Sequence, residues 1–164
     1  MAVVLNSLDR NRSGKLASLL LMALLLTLAT GCQSSRSASG LQTRDVVING
    51  EMFTLELAMD PDKRFQGLSD RKSLPANHGM LFVFPQPGML NFVMRKCLFD
   101  IDLIYLGPGG RIVSMHQMVM QPYDTPEHEL TYYGSGWPAQ FAIELAKGSI
   151  DRLGLKIGQK IELP

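Results

Sequence analysis

Cysteine is almost missing from this chain: among 164 residues only Cys32 and Cys97 carry a thiol. No disulfide framework or cysteine-rich metal cluster can hold the fold together. An excess of one charge is missing too, since 16 Lys and Arg stand against 15 Asp and Glu. That balance excludes a basic nucleic-acid stripe and a strongly acidic or disordered chain. No glycine-rich phosphate loop, no pair of histidines at metal-ligand spacing, no Cys-His nucleophile signature and no internal repeat occurs. Tryptophan appears once. What remains, 46% hydrophobic and 19% charged residues, is the composition of one globular domain.

The one long apolar run lies near the start. Arg10, Arg12 and Lys15 precede Leu16 to Thr30, which has no charge. Fifteen residues of helix reach roughly 22 Å, short of the ~30 Å hydrocarbon thickness. A basic start, a short apolar run and small residues at its end read as a secretory signal. The run closes Leu28-Ala29-Thr30-Gly31-Cys32 and resembles a bacterial lipoprotein signal, in which the cysteine becomes the acylated (palmitate-bearing) N-terminus. Ala29 departs from the usual leucine at that place. The sequence therefore predicts a signal peptide over 1–31, lipid on Cys32, a Ser/Gly-rich flexible tether over 32–42 and a folded domain over 43–164; an ordinary cleaved signal peptide and a retained anchor are the alternatives for the first segment. Removal of the signal leaves 13 basic and 14 acidic residues. The expected location is the cell envelope, on the periplasmic face. Gln33 after the cysteine points to the outer membrane if the bacterium has two membranes.

Short strands and tight turns dominate the rest. Arg44–Ile48 and Glu51–Ala58 flank Asn49-Gly50, the pair that a two-residue type I′ turn requires. Phe53, Leu55 and Leu57 alternate with Thr54 and Glu56, which predicts one buried face. Asp60-Pro61 opens a short helix that Gly67 ends. Further strands are predicted at Met80–Phe84, Leu90–Met94, Ile101–Leu106, Arg111 to Gln121, Gln140 to Leu145 and Lys160–Leu163. Turns fall at Pro85–Gly88 and Gly107–Gly110, and a long loop at Pro122 to Gly136. Ser149 to Leu153 suits a short helix capped by Ser149 and ended by Gly154. The fold class is mainly β, α+β at the margin: a single barrel-like sheet of short strands with one or two short helices.

An ordered series of residues then identifies a family. Gly67-Leu68 with Arg71, Leu74-Pro75, Gly79 to Phe84, Phe92 with Met94, Asp102, Gly110 to Val113, and Glu144-Leu145 with Gly148, Gly154 and Gly158 resemble the domain-of-unknown-function family 192. The resemblance runs from Asp45 to Leu163. It implies a compact β-rich domain, often exported, with no established activity. The family's usual run is Phe-Trp-Met-Lys-Asn-Thr followed by Pro-Leu-Asp. Here Val93 stands for Trp, Lys96 for Asn, Cys97 for Thr and Asp100 for Pro.

Several constellations could carry chemistry. Arg71, Arg95, Lys96, Asp100 and Asp102 form a polar cluster. It reads as an ion-pair lock at a sheet edge, a site for a small zwitterion, or an acid–base pair. Glu144 interrupts an apolar run, as a solvent-side residue, a partner for a buried Arg, or a catalytic carboxylate. His116, Met118 and Met120 share one face of a strand and are soft donors of the kind that suits Cu(I); Met as core filler is the plainer reading. His78 and His128 read as surface or capping residues. Cys97 reads as a small buried residue or, beside Lys96, as a nucleophile. Tyr123 to Trp137 holds three of the four tyrosines and the tryptophan, as a stacking platform or a packed loop. The candidate ligand-binding set is Arg71, Met94, Arg95, Asp102 and Glu144. The expected function is a lipid-anchored binding or accessory module for a small molecule or envelope partner, with no cofactor and no nucleic acid. The alternatives are an envelope hydrolase using Asp102 or Glu144 and a Cu(I) protein.

Overall fold

A computed structural model describes residues 36–163. The predicted signal segment and the Cys32 lipid site lie outside the described residues. Six strands form one mixed sheet, in the order Thr43–Ile48, Glu51–Ala58, His78–Gly88, Ala139–Ala146, Ile101–Leu106 and Ile112–Met118 across it. The hairpin forms as the Asn-Gly pair requires. β1 (Thr43–Ile48) and β2 (Glu51–Ala58) meet through Asn49 and Gly50, with φ of 47° and 89°. Helix α1 (Pro61–Gln66) starts as its sequence dictates: Asp60 accepts a hydrogen bond from the Lys63 amide at 2.8 Å, Pro61 occupies the first turn, and Gly67 ends it. The chain then returns as β3 (His78–Gly88), parallel to β2.

β3 pairs on its other side with β8 (Ala139–Ala146), β8 with β5 (Ile101–Leu106), and β5 with β6 (Ile112–Met118), all antiparallel. The sheet does not close: β1 and β6 remain as free edges, so the barrel expected from many short strands is an open sheet. Closure needs strand tilt and stagger around a ring, and local strand and turn signals do not encode them.

Both faces of the sheet are covered. One face packs Val46, Phe53, Leu55, Leu81, Ile104 and Ile143 under helix α2 (Ser149–Leu153). The other packs Ala58, Met80, Phe82, Leu103, Tyr105 and Ala142 under the long connecting segments. All six residues of β5 are buried. Glu56, predicted to face solvent, is buried beneath that second layer.

Four further expectations change. Pro85–Gly88 is not a plain turn. β3 extends to Gly88 with a register irregularity after Val83, where the two prolines offer the ladder no amide. Leu90–Met94 contributes only β4 (Asn91–Phe92), which pairs with β7 (Tyr133–Gly134) in a separate two-stranded ribbon. Lys160–Leu163 forms no strand, only a bridge from Lys160 to Arg111. Finally, the described end of the expected tether is folded down: Arg36 bridges to Gln42, and Ser39 Oγ donates to Glu56 at 2.6 Å.

Candidate functional site

The pairing register places Glu56, Met80, Glu144, Leu103 and His116 in one row across five strands, on the face covered by the connecting segments. Three polar residues thus point into a layer that is otherwise a hydrophobic core. Glu56 and His116 find partners there, and Glu144 keeps an oxygen without one.

Glu56 is neutralised by Arg71, whose Nη1 and Nη2 reach its two carboxylate oxygens at 2.8 and 2.6 Å. Burial pushes this carboxyl up, but the Arg71 fork and the Ser39 hydroxyl outweigh it, and its pKa ends below the ordinary value. His116 is tied by a 2.8 Å hydrogen bond between Nε2 and the Gly134 carbonyl, with Tyr105 and Tyr133 edge-on at 6.0 and 5.8 Å.

Glu144 has no such solution. It is 5% exposed, and its Oε2 has no hydrogen-bond partner among the described residues. Desolvation raises its pKa to about 8, against a weaker opposing pull from the charge of Arg71. Near neutral pH this side chain holds its proton. The same environment pushes the Cys97 thiol up to about 12, through burial first and the neighbouring Glu144 second. Tyr105 is raised for the same two reasons. Cys97 is therefore a buried thiol and not a thiolate nucleophile.

Glu144 lines a cavity of about 340 Å³ between α1, β3 and the segment around β4. Its walls include Phe65, Phe82, Phe84 and Phe92, and its polar lining includes Arg64, Asn91 and Arg95. Phe82 and Phe92 meet edge to face at 4.8 Å. Arg64 lies over Phe84 at 5.0 Å and Arg95 over Phe65 at 4.1 Å. Ser69, Gln66 and Gly67 are shared with a second cavity of about 230 Å³ that includes Arg71.

The candidate set from sequence is thus only partly assembled. Arg95 and Glu144 line the same cavity, and Arg71 stands within electrostatic reach of Glu144. Met94 is a core residue beside them. Asp102 faces the opposite side of the sheet: it is fully buried, and its Oδ2 accepts from the Ile150 amide at 2.7 Å at the start of α2. Burial raises its pKa, while the amides of Ile150, Gly148 and Ser149 pull it down. Asp102 takes the capping role that Ser149 was expected to play; the cap position itself is Gly148, and the Ser149 hydroxyl donates to Ala146. The polar cluster proposed around Arg71 is divided among separate pairs. Arg95 binds Glu127, and Lys147 binds Asp100 at 2.6 Å. Lys96 lies over the Tyr123 ring.

Of the copper set, His116 and Met118 share a face of β6. Met118 is buried in the core, Met120 lies beyond the end of β6, and His116 Nε2 is engaged by Gly134. His78 contacts Asn77 and His128 contacts Glu129. Of the aromatic loop, Tyr133 packs onto the second layer and Glu127 pairs with Arg95, while Tyr123, Tyr132 and Trp137 are exposed. Sequence reasoning missed Glu56, Arg64 and the four phenylalanines. The alternation in β2 sets Glu56 opposite Phe53 and Leu55, which reads as a solvent face; the connecting segments cover that face as well.

The match to a family model over residues 44–163 decides the relationship. The chain belongs to the DUF192 family. That family is described as an uncharacterised ACR. A chain of known structure, a protein of unknown function from Novosphingobium aromaticivorans, is 29% identical. The alignment covers 81% of this chain and 94% of that one, with a TM-score of 0.70. A second, from Sinorhizobium meliloti, for which a role as a transcription regulator has been suggested, is 28% identical over 77% of this chain and 88% of its own, with a TM-score of 0.61. No curated protein matches the chain.

Proposed function

We propose that this DUF192 domain is a lipid-anchored module of the cell envelope that binds a small ligand in the phenylalanine-walled cavity above Glu144. One observation carries the reading: a fully desolvated carboxyl with an unpartnered oxygen borders an open, aromatic-lined space. A buried polar group without a partner costs about 1–3 kcal/mol. A ligand that satisfies it recovers that cost. Sites of this kind, mostly apolar with a few convergent polar groups, are the usual form of small-molecule pockets. The absence of a thiolate at Cys97 and the placement of Asp102 on the far face favour binding over hydrolysis as the reading of this cavity. The anchor rests on the lipoprotein-type segment ending at Cys32.

The test is a thermal-shift screen of the full chain in detergent micelles against cell-wall fragments, sugars, amino acids, organic acids and lipid headgroups. A ligand at 100 times its Kd adds about 2.7 kcal/mol of stability, a shift of several degrees. Val93→Trp, which narrows the cavity, should abolish the shift while the variant melts normally. A screen with no hit, or hits that survive in Val93→Trp, would remove the cavity as the binding site.

A further inference from the structure

Two groups on this cavity lack the partners their chemistry calls for, one deep and one at the rim. The deep one is Glu144. The other is Arg64, half-buried on α1. Its Nη1 donates to the carbonyls of Met59 and Val83 at 2.5 and 3.0 Å, and its guanidinium lies against Phe84. Those carbonyls orient the group but do not neutralise it. No carboxylate pairs with Arg64 among the described residues, whereas Arg95 has Glu127. With Glu144 protonated, the lining therefore carries one uncompensated positive charge beside the four phenylalanines.

We infer that the ligand is an aromatic carboxylate: its carboxylate meets Arg64, its ring lies among the phenylalanines, and an oxygen at its far end accepts the hydrogen bond of the Glu144 carboxyl. This rests on the reading of the cavity as a ligand site and adds the class of molecule. Guanidinium groups suit carboxylates through their planar fork of donors. Phenylalanine faces and edges suit a ring. An ammonium at the deep end fits less well, because Arg71 and Arg64 both oppose it and protonated Glu144 is a donor without charge. The titratable groups facing Glu144 are Arg71 from the segment after α1, Cys97 from the segment after β4 and Tyr105 from β5. Arg71 is balanced by Glu56, and the Cys97 thiol stays neutral up to about 12. Further along the row, His116 is bonded to Gly134. Glu144 is thus the group expected to set the pH dependence of binding.

The experiment is calorimetric titration of the full chain in micelles, with a micelle-only reference, using three probes. These are para-acetylbenzoate, the uncharged para-acetylbenzamide and the zwitterion para-(aminomethyl)benzoate. At about pH 6 the acetylbenzoate should bind roughly 10-fold more tightly than the amide, the value of one charge-assisted contact. At about pH 9.5, where Glu144 is ionised, its affinity should fall by about fivefold or more. Glu144→Gln, which keeps a donor, should hold the low-pH affinity and lose the pH dependence. Arg64→Gln should erase the preference over the amide. Two results would overturn the inference and leave the cavity reading standing, provided binding still disappears in Val93→Trp. One is tighter binding of the zwitterion that strengthens with pH; the other is an anion preference that persists in Arg64→Gln. If none of the three binds while another compound shifts the melting of the native chain but not of Val93→Trp, the ligand class alone fails. If the broad screen is silent as well, both fail.

Discussion

Glu144 is a carboxyl that the folded core keeps with one oxygen lacking a hydrogen-bond partner. Its native pKa of about 8 lies above the ordinary carboxylate value of 4.5. Between those two values the folded chain holds a proton that the unfolded chain releases. Stability contributed by this group is therefore complete below about pH 4.5 and declines as pH rises through 8, with a limiting slope of about 1.4 kcal/mol per pH unit. Glu144→Gln should flatten the urea-unfolding stability profile between about pH 5 and pH 8 and leave the variant the more stable protein at the upper end. A profile unchanged by the substitution would mean that Glu144 ionises normally in the folded state. Glu56 behaves in the opposite sense. Its pKa is lowered, so its contribution is present above the ordinary value and is lost only as acid protonates it. The two windows do not overlap. Arg71→Ala leaves Glu56 buried beside no cation and should cost about 2–4 kcal/mol near neutral pH, less in acid. Denaturation at pH 7 and at low pH would separate the two.

At the scale of elements, α2 shows how a five-residue helix is kept in place from outside itself. Asp102 on β5 receives the amide of Ile150, and the Asn49 side chain, from the hairpin turn, donates to the carbonyl of Leu153 at 2.6 Å. Arg152 pairs with Glu51. Asp102→Ala should lower stability by about 2 kcal/mol, the sum of a lost cap and an orphaned amide. Because Asp102 lies on the far face of the sheet, the variant should keep its ligand affinity; a selective loss of binding with normal melting would return Asp102 to the site. β3 and β8 meet more closely at Gly79 than a side chain allows. A Cβ there would stand 2.4 Å from the Glu144 carbonyl oxygen. Gly79→Ala should therefore part the two central strands, seen as a large drop in melting temperature together with loss of the Glu144 pH profile.

For the whole molecule, the mostly β character, the hairpin and α1 were legible in the sequence. Each depends on neighbours a few residues apart: Asn49-Gly50 for the turn, Asp60-Pro61 and Gly67 for the helix. Ile101–Leu106 was also legible, since an unbroken apolar run carrying one acid suits a strand covered on both sides. The site was legible only in fragments. Arg95 and Glu144 stood out as charges within apolar surroundings, but nothing local paired Arg71 with Glu56, fifteen positions earlier, or set Asp102 and Glu144 on opposite faces. The proposed anchor is tested at this scale as well. If Cys32 is acylated, the protein should fractionate with membranes and Cys32→Ala should release it, with mass spectrometry of the N-terminal peptide showing the lipid.

The sequence by itself determined the mainly β character, the Asn49-Gly50 hairpin, helix α1 and the family, because these follow from backbone preferences and short-range pattern. Tertiary structure alone decided that the sheet stays open, that both its faces are covered, that Arg71 reaches Glu56 and the Ile150 amide reaches one oxygen of Asp102, and that Glu144 Oε2 lies without a hydrogen-bond partner beside a phenylalanine cavity. The reason is physical. A carboxylate's fate depends on which charges and amides reach it across the sheet, and strand register, set by the packing of the whole core, brings those groups together.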